Sequence, residues 1–207
     1  ATKMGIPLIM FGENGEVEYG GDSKNEESPT HDITSDMDRH YNSGFQLTDW
    51  ADAGLTGDDL NYYQMPKLED AERVGIECHF FGFYKKWVPQ QNYYYVVENI
   101  GFQPEPDGRS EGTYSKYASL DDKVAGYHNY FAHLKFGHGR ATSDAGHEIR
   151  DGHITREEGL ALVKKFDGEL PQKHFTEVLE YLMLTEDEFM LCCERFRNNN
   201  LWIKDTS

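Results

Sequence analysis

An uninterrupted apolar run, Ile6 to Phe11, constrains this chain more than any other stretch. A strand that is apolar on both faces needs cover on both, which is the pattern of an interior strand in a parallel sheet. Gly12-Glu13-Asn14-Gly15 ends the run. In open α/β sheets ligands bind beyond the carboxyl ends of strands, so Glu13 and Asn14 are the first candidate site residues. A buried strand this early needs neighbours on both sides, and a preceding N-terminal half is therefore expected.

The next elements follow from periodicity. Pro66 to Arg73 reads as a short helix, and the alternation of Val74, Ile76, Cys78 and Phe80 gives a strand with Cys78 facing inward. Residues 22–64 form a long acidic connection with no sustained period, with a short helix expected near Leu47 to Ala53. Connections of that length are lids, binding loops or disordered segments. Tyr93, Val96, Val97 and Ile100 have the spacing of a helix face, and Gly101 is its expected cap.

Further on the pattern is helical throughout. Ser119 and Asp122 have capping-box spacing ahead of a helix through Val124, Tyr127, Phe131 and Leu134. Thr155 with Glu158 and Thr185 with Glu188 open two more helices, and Phe175 to Leu182 marks another. The expected tail is a three-helix bundle over 155–197, packed through Leu160, Val163, Phe175, Leu179, Phe189 and Phe196. The adjacent Cys192 and Cys193 belong to that apolar face as core.

Between these helices lies a turn of unusual composition, HLKFGHGRATSDAGHE, starting at His133. Gly137 and Gly139 flank His138, and glycines allow backbone N–H groups to approach an anion closely. Lys135 and Arg140 stand ready as counter-charges, Arg140 as the bidentate partner. The alternative is a plain helix-to-helix turn. The loop GRSEGTYSKYASLDDK, from Gly108, is dense in hydrogen-bonding groups, among them Arg109, Glu111, Thr113 and Tyr114. It is either a substrate loop or a polar surface loop.

Charge and motif content exclude several classes. The net charge of −17 argues against a nucleic-acid partner, because such a chain repels a phosphate backbone. No apolar run approaches the ~20 residues of a membrane-spanning helix. The three cysteines form no CxxC pair, which fits a reducing, cytoplasmic setting. Asp151-Gly152 with Glu158 echoes half of an EF-hand, but His147 and Ile149 fall at ligand positions and supply no suitable oxygen. His138, His147 and His153 match no zinc spacing. There is no GxSxG and no Walker-type loop.

Taken together, IPLIMFGEN…EYGG, GFYKKW, GRSEGTYSKYASLDDK, KFGHGRATSDAGHEIRDGHITREEGLALVKKFDGELP and RFRNNNLW resemble the C-terminal half of the bacterial N-acetyl sugar amidotransferases. These are PP-loop ATP pyrophosphatases of surface-polysaccharide biosynthesis. The resemblance implies an α/β fold: a parallel-sheet PP-loop domain continued over residues 1–135, then a turn and helical region over 136–207. It implies conversion of an acetamido group to an acetamidino group, with ATP and Mg2+ activating the amide oxygen by adenylation. It also implies a sugar substrate, and ammonia from a glutaminase and a cyclase-like subunit. The family's SGGxDS loop and cysteine pairs lie in its N-terminal half, so a zinc site is implied only there, and this chain alone is expected to be inactive.

In that setting Glu13, Lys135 and Arg140 become candidate catalytic residues. Asn14, Arg109, Glu111, Thr113, Tyr114, Gly137, Gly139 and Asp144 become candidates for binding ATP or sugar. The expected geometry gathers Lys135, Arg140, Arg109 and Glu13 in one cleft, meeting phosphate. Two other readings remain open: a non-catalytic scaffold that docks a glutaminase, and a PP-loop pyrophosphatase with another acceptor, as in tRNA thiolation, which the acidity disfavours.

Overall fold

A computed structural model describes residues 1–14, 27–31, 49–50, 54–55, 57–61, 63 and 66–203. Most of the 22–64 connection lies outside the described residues, as does His40; of the short helix expected near Leu47 to Ala53 only Asp49 and Trp50 are described, and both are helical. The chain divides into two compact units, Ala1–Trp87 and Val88–Ser207. The division expected after residue 135 falls inside the second unit.

The first unit holds a three-stranded mixed sheet in the order β1-β3-β2. Strand β1 (Leu8–Phe11) runs parallel to β3 (Glu77–Phe80), with Ile9 opposite Cys78, and β2 (Thr30–His31) pairs antiparallel to β3. Helices α1 (Gly57–Leu60), α2 (Leu68–Val74) and α3 (Phe81–Tyr84) accompany it. Cys78 and Phe80 are buried, as their alternation required.

Strand β1 corrects the expectation drawn from the apolar run. Among the described residues it pairs only with β3, and Leu8 and Met10 are 52% and 43% exposed. An apolar run sets what a strand is able to bury. Which neighbours cover it is a matter of topology, and among the described residues β1 lies at the edge. The described residues show this small mixed sheet, with its one parallel pair, and do not show the extended parallel sheet of a PP-loop domain.

The second unit is helical: α4 (Pro89–Ile100), α5 (Ala125–Phe136), α6 (Arg140–Arg150), α7 (Arg156–Phe166), α8 (Phe175–Leu182) and α9 (Glu186–Phe196). Gly101 ends α4 in the left-handed region at φ 77°, as expected. Thr155–Glu158 and Thr185–Glu188 both form complete capping boxes. The box expected at Ser119 does not form. Ser119 has a φ of 50°, incompatible with a cap, and Asp122 instead accepts from the Val124 N–H at 2.8 Å.

The bundle core is Tyr127, Leu134, Val178, Phe189 and Cys193, with Tyr130, Phe131, Leu170, Phe175, Leu179 and Leu184 packed against it. Phe189 is its hub, meeting Tyr127, Phe131 and Phe175 edge to face at centroid distances of 6.0, 5.7 and 5.4 Å. Leu160 and Phe196, expected in the core, are exposed. Helix α5 supplies the packing they were expected to give.

Two further contacts position the functional region. Helices α6 and α7 approach so closely at Gly159 that a Cβ there would lie 2.7 Å from Ile149 Cδ1. The closing RNNNLW segment caps α5: the Leu134 carbonyl accepts from the Asn198 N–H at 3.0 Å and from Trp202 Nε1 at 2.9 Å. The Asn198 side chain donates to the Lys135 carbonyl at 3.1 Å. These carbonyls would otherwise be the unpaired end of a helix.

Candidate functional site

A cavity of about 270 Å³ opens in the second unit. Its walls come from the loop between α4 and α5, from α5 itself, and from the segment linking α7 to α8. The loop is shaped by its own hydrogen bonds. Glu105 N–H donates to the Lys116 carbonyl at 2.7 Å, Ser110 N–H to the Ser115 carbonyl at 2.9 Å, and Ser110 Oγ to the Ala118 carbonyl at 2.7 Å. On α5, Gly126 sits where a Cβ would lie 2.9 Å from Pro171 Cγ, so only glycine lets the linker lie this close. The Tyr127 hydroxyl donates to the Pro171 carbonyl at 3.1 Å and fixes that wall.

Ion pairs hold the loop to the α7–α8 linker. Arg109 presents its fork to Glu169, with both Nη–Oε distances at 2.7 Å, and its Nη1 also reaches the Ser110 and Thr113 carbonyls at 3.2 Å. Gly112 N–H donates to the same carboxylate at 2.7 Å. The guanidinium holds the Glu169 carboxyl below the usual carboxylate range, although partial burial opposes this. Glu111 accepts from the backbone N–H groups of Gln172 and Lys173, at 2.8 and 3.1 Å. Lys173 Nζ bridges Glu105 and Asp107 at 2.6 and 2.7 Å, and these contacts raise its pKa.

Arg140 behaves differently from the other cations at the cavity. Its Nε donates to Asp144 Oδ1 at 2.9 Å, one turn along α6. The other Asp144 oxygen accepts from the hydroxyl of Thr113, 2.6 Å away and fully buried. The two terminal amino groups of Arg140 have no protein hydrogen-bond partner among the described residues. Arg140 and Thr113 both line the cavity.

The glycine turn has an internal anion. Asp167, just past α7, accepts from the Gly139 N–H at 2.9 Å, the Thr142 N–H at 3.2 Å and the Thr142 hydroxyl. A Cβ on Gly139 would meet Asp167 Oδ1 at 2.9 Å. Backbone N–H groups at the start of α6 thus cradle an oxyanion, and that oxyanion is the Asp167 side chain of this same unit. Gly137, at φ 80°, ends α5 by returning its N–H to the His133 carbonyl at 2.9 Å.

The structure thus gathers Arg109, Glu111, Thr113 and Arg140 around one cavity, with Asp144 directly behind. It does not bring Lys135 there. Lys135 is exposed, its Nζ 5.2 and 5.4 Å from the ring centroids of Phe136 and Phe196. Tyr114 turns into the packing beside Phe166, where burial raises its pKa well above the ordinary phenol range. Glu148 beside it is pushed up, chiefly by burial. Glu13 and Asn14 follow β1 in the first unit.

Glu105, Asp107, Asp167, Glu169 and Lys173 were missed from sequence. Their partners lie far along the chain, and Asp167-Gly168-Glu169 reads locally as nothing more than a helix stop. Among the described residues, no group of three or more His, Cys, Asp or Glu is placed to hold a metal ion. No helix is long and apolar enough to cross a membrane.

Residues 111–206 match a family model described as the LPS biosynthesis protein WbpG-like, C-terminal domain. No curated protein matches the chain. The match agrees, over residues 111–206, with the resemblance drawn from sequence.

Proposed function

We propose that the second unit, with its WbpG-like C-terminal domain of lipopolysaccharide biosynthesis, holds the sugar of an ATP-dependent amidotransferase. That enzyme turns an acetamido group into an acetamidino group. The observation that carries this reading is the polar cavity built largely from the matched segment. At about 270 Å³ it falls below the roughly 300–1,000 Å³ typical of drug-sized ligands, which suits one sugar ring and not a whole nucleotide sugar. Serine, threonine, asparagine, carboxylate and cationic groups line it, the mixture that sugar hydroxyls and an amide recognise by hydrogen bonds.

An amide is a poor electrophile because its oxygen is a poor leaving group. In the proposed reaction the amide oxygen attacks the α-phosphorus of ATP and pyrophosphate departs. Ammonia adds to the activated carbon, and AMP leaves with the former amide oxygen. ATP and Mg2+ belong, in this reading, to an SGGxDS loop in an N-terminal half, and ammonia to a glutaminase with a cyclase-like partner. No ATP step is routed through the glycine turn, because Asp167 already occupies its N–H groups.

One observation favours a second reading. Arg109 and Lys173 are engaged by internal carboxylates, as befits a scaffold that docks a glutaminase without chemistry of its own. A single assay separates the two. Protein carrying this chain together with the ATP loop is supplied with ATP, Mg2+, isotopically labelled ammonia and an N-acetylated nucleotide sugar. The enzymatic reading expects a labelled acetamidino sugar with matching AMP and pyrophosphate. No labelled product at saturating ammonia overturns it in favour of the scaffold.

A further inference from the structure

We propose that Arg140 is the oxyanion-recognising group of the cavity, and that Asp144 and Thr113 position it. The proposal rests on the sugar-binding reading above and adds a substrate requirement: the sugar carries a carboxylate or a phosphate that seats on the Arg140 fork. Arg109 has its fork on Glu169, Lys123 lies 2.6 Å from Glu177, and Lys173 bridges two carboxylates. Arg140 alone among these lining cations keeps both terminal amino groups without a protein partner among the described residues.

Its placement is also constructed. An arginine side chain has rotamer entropy to lose when it is fixed. Here Asp144 fixes the Nε side with one oxygen, and its other oxygen is fixed by the Thr113 hydroxyl. Thr113 is wholly buried, and its hydroxyl oxygen also accepts from the Ser115 N–H at 3.3 Å. The chain Thr113–Asp144–Arg140 therefore ties the loop to α6 and holds the guanidinium by one edge, leaving the other for a bidentate oxyanion. Nearby carboxylates do not compete for it, since Glu105 and Asp107 are held by Lys173 and Glu111 by backbone N–H groups.

The test is calorimetric titration of the 207-residue chain with three probes. They are neutral N-acetylglucosamine, N-acetylglucosamine phosphate and N-acetylglucosaminuronate. The proposal expects at least one anionic probe to bind about tenfold or more tightly than the neutral sugar, the scale of a charge-assisted hydrogen bond. Which probe does so distinguishes phosphate from carboxylate. Arg140→Gln should abolish the increment, bringing the ratio of anionic to neutral affinity down to about one whatever it does to the neutral sugar. Thr113→Val should shrink it, and Thr113→Ser should restore it, with thermal melts reporting folding in each case. If the neutral sugar binds and neither anion binds more tightly, the proposal fails and the sugar-binding reading stands. Equal losses for neutral and anionic probes in Arg140→Gln also overturn it. If no probe binds, both fall.

Discussion

Arg109 and Arg140 looked alike in the sequence, each an isolated cation beside small polar residues in an acidic chain. The fold gives them different tasks. Arg109 meets a carboxylate sixty residues away and ties the loop down, whereas Arg140 is held by one edge. A long-range pairing of this kind leaves no local trace, because nothing near Arg109 announces Glu169. The pairing has a pH signature. Glu169 is held below its ordinary value of 4.5, so its contribution to stability is present above that value and is lost as pH falls through the lowered one. Glu169→Gln should lower the melting temperature near neutral pH, and the gap from the parent protein should narrow as pH drops below about 4. A gap that stays constant across that range would show that the pair does not set the loop's stability.

At the scale of elements, local signals read well wherever the deciding partner lay within a turn. The two threonine capping boxes and the Gly101 cap are complete within a few residues, and both were legible. Ser119 has the same spacing and fails, because the loop's own hydrogen bonds impose a positive φ there. Apolar spacing identified the helix faces but not their partners. Phe196 and Leu160 carry the right period yet remain exposed, while Tyr127 and Leu134 of α5 complete the core. Phe189→Ala should therefore cost about 3–5 kcal/mol, as deletion of a fully buried aromatic does. Leu160→Ala should cost well under half as much. A denaturant series with equal losses would contradict this assignment of the core. Strand β1 shows the same limit, since its composition predicted a strand but not the edge position it has among the described residues.

At the scale of the molecule, the acidity that argued against a phosphate-backbone partner also shapes the site. With a net charge of −17, most cavity cations pair with carboxylates, and a cation with an open fork stands out. The resemblance was legible from motif order along the chain, and the family model matches the later of those segments, within residues 111–206. The cavity was legible only in part. Its loop residues were singled out, but the α7–α8 linker that forms its far wall was not. The account stands or falls on whether that cavity receives an acetamido sugar. The direct measurement is an amide chemical-shift map of the 207-residue chain titrated with neutral N-acetylglucosamine. Saturable shifts concentrated at Ser110, Thr113, Ser119, Leu120, Lys173 and His174 are the predicted result, since these residues line the cavity from opposite walls. Saturable shifts elsewhere, with these amides unmoved, would contradict it.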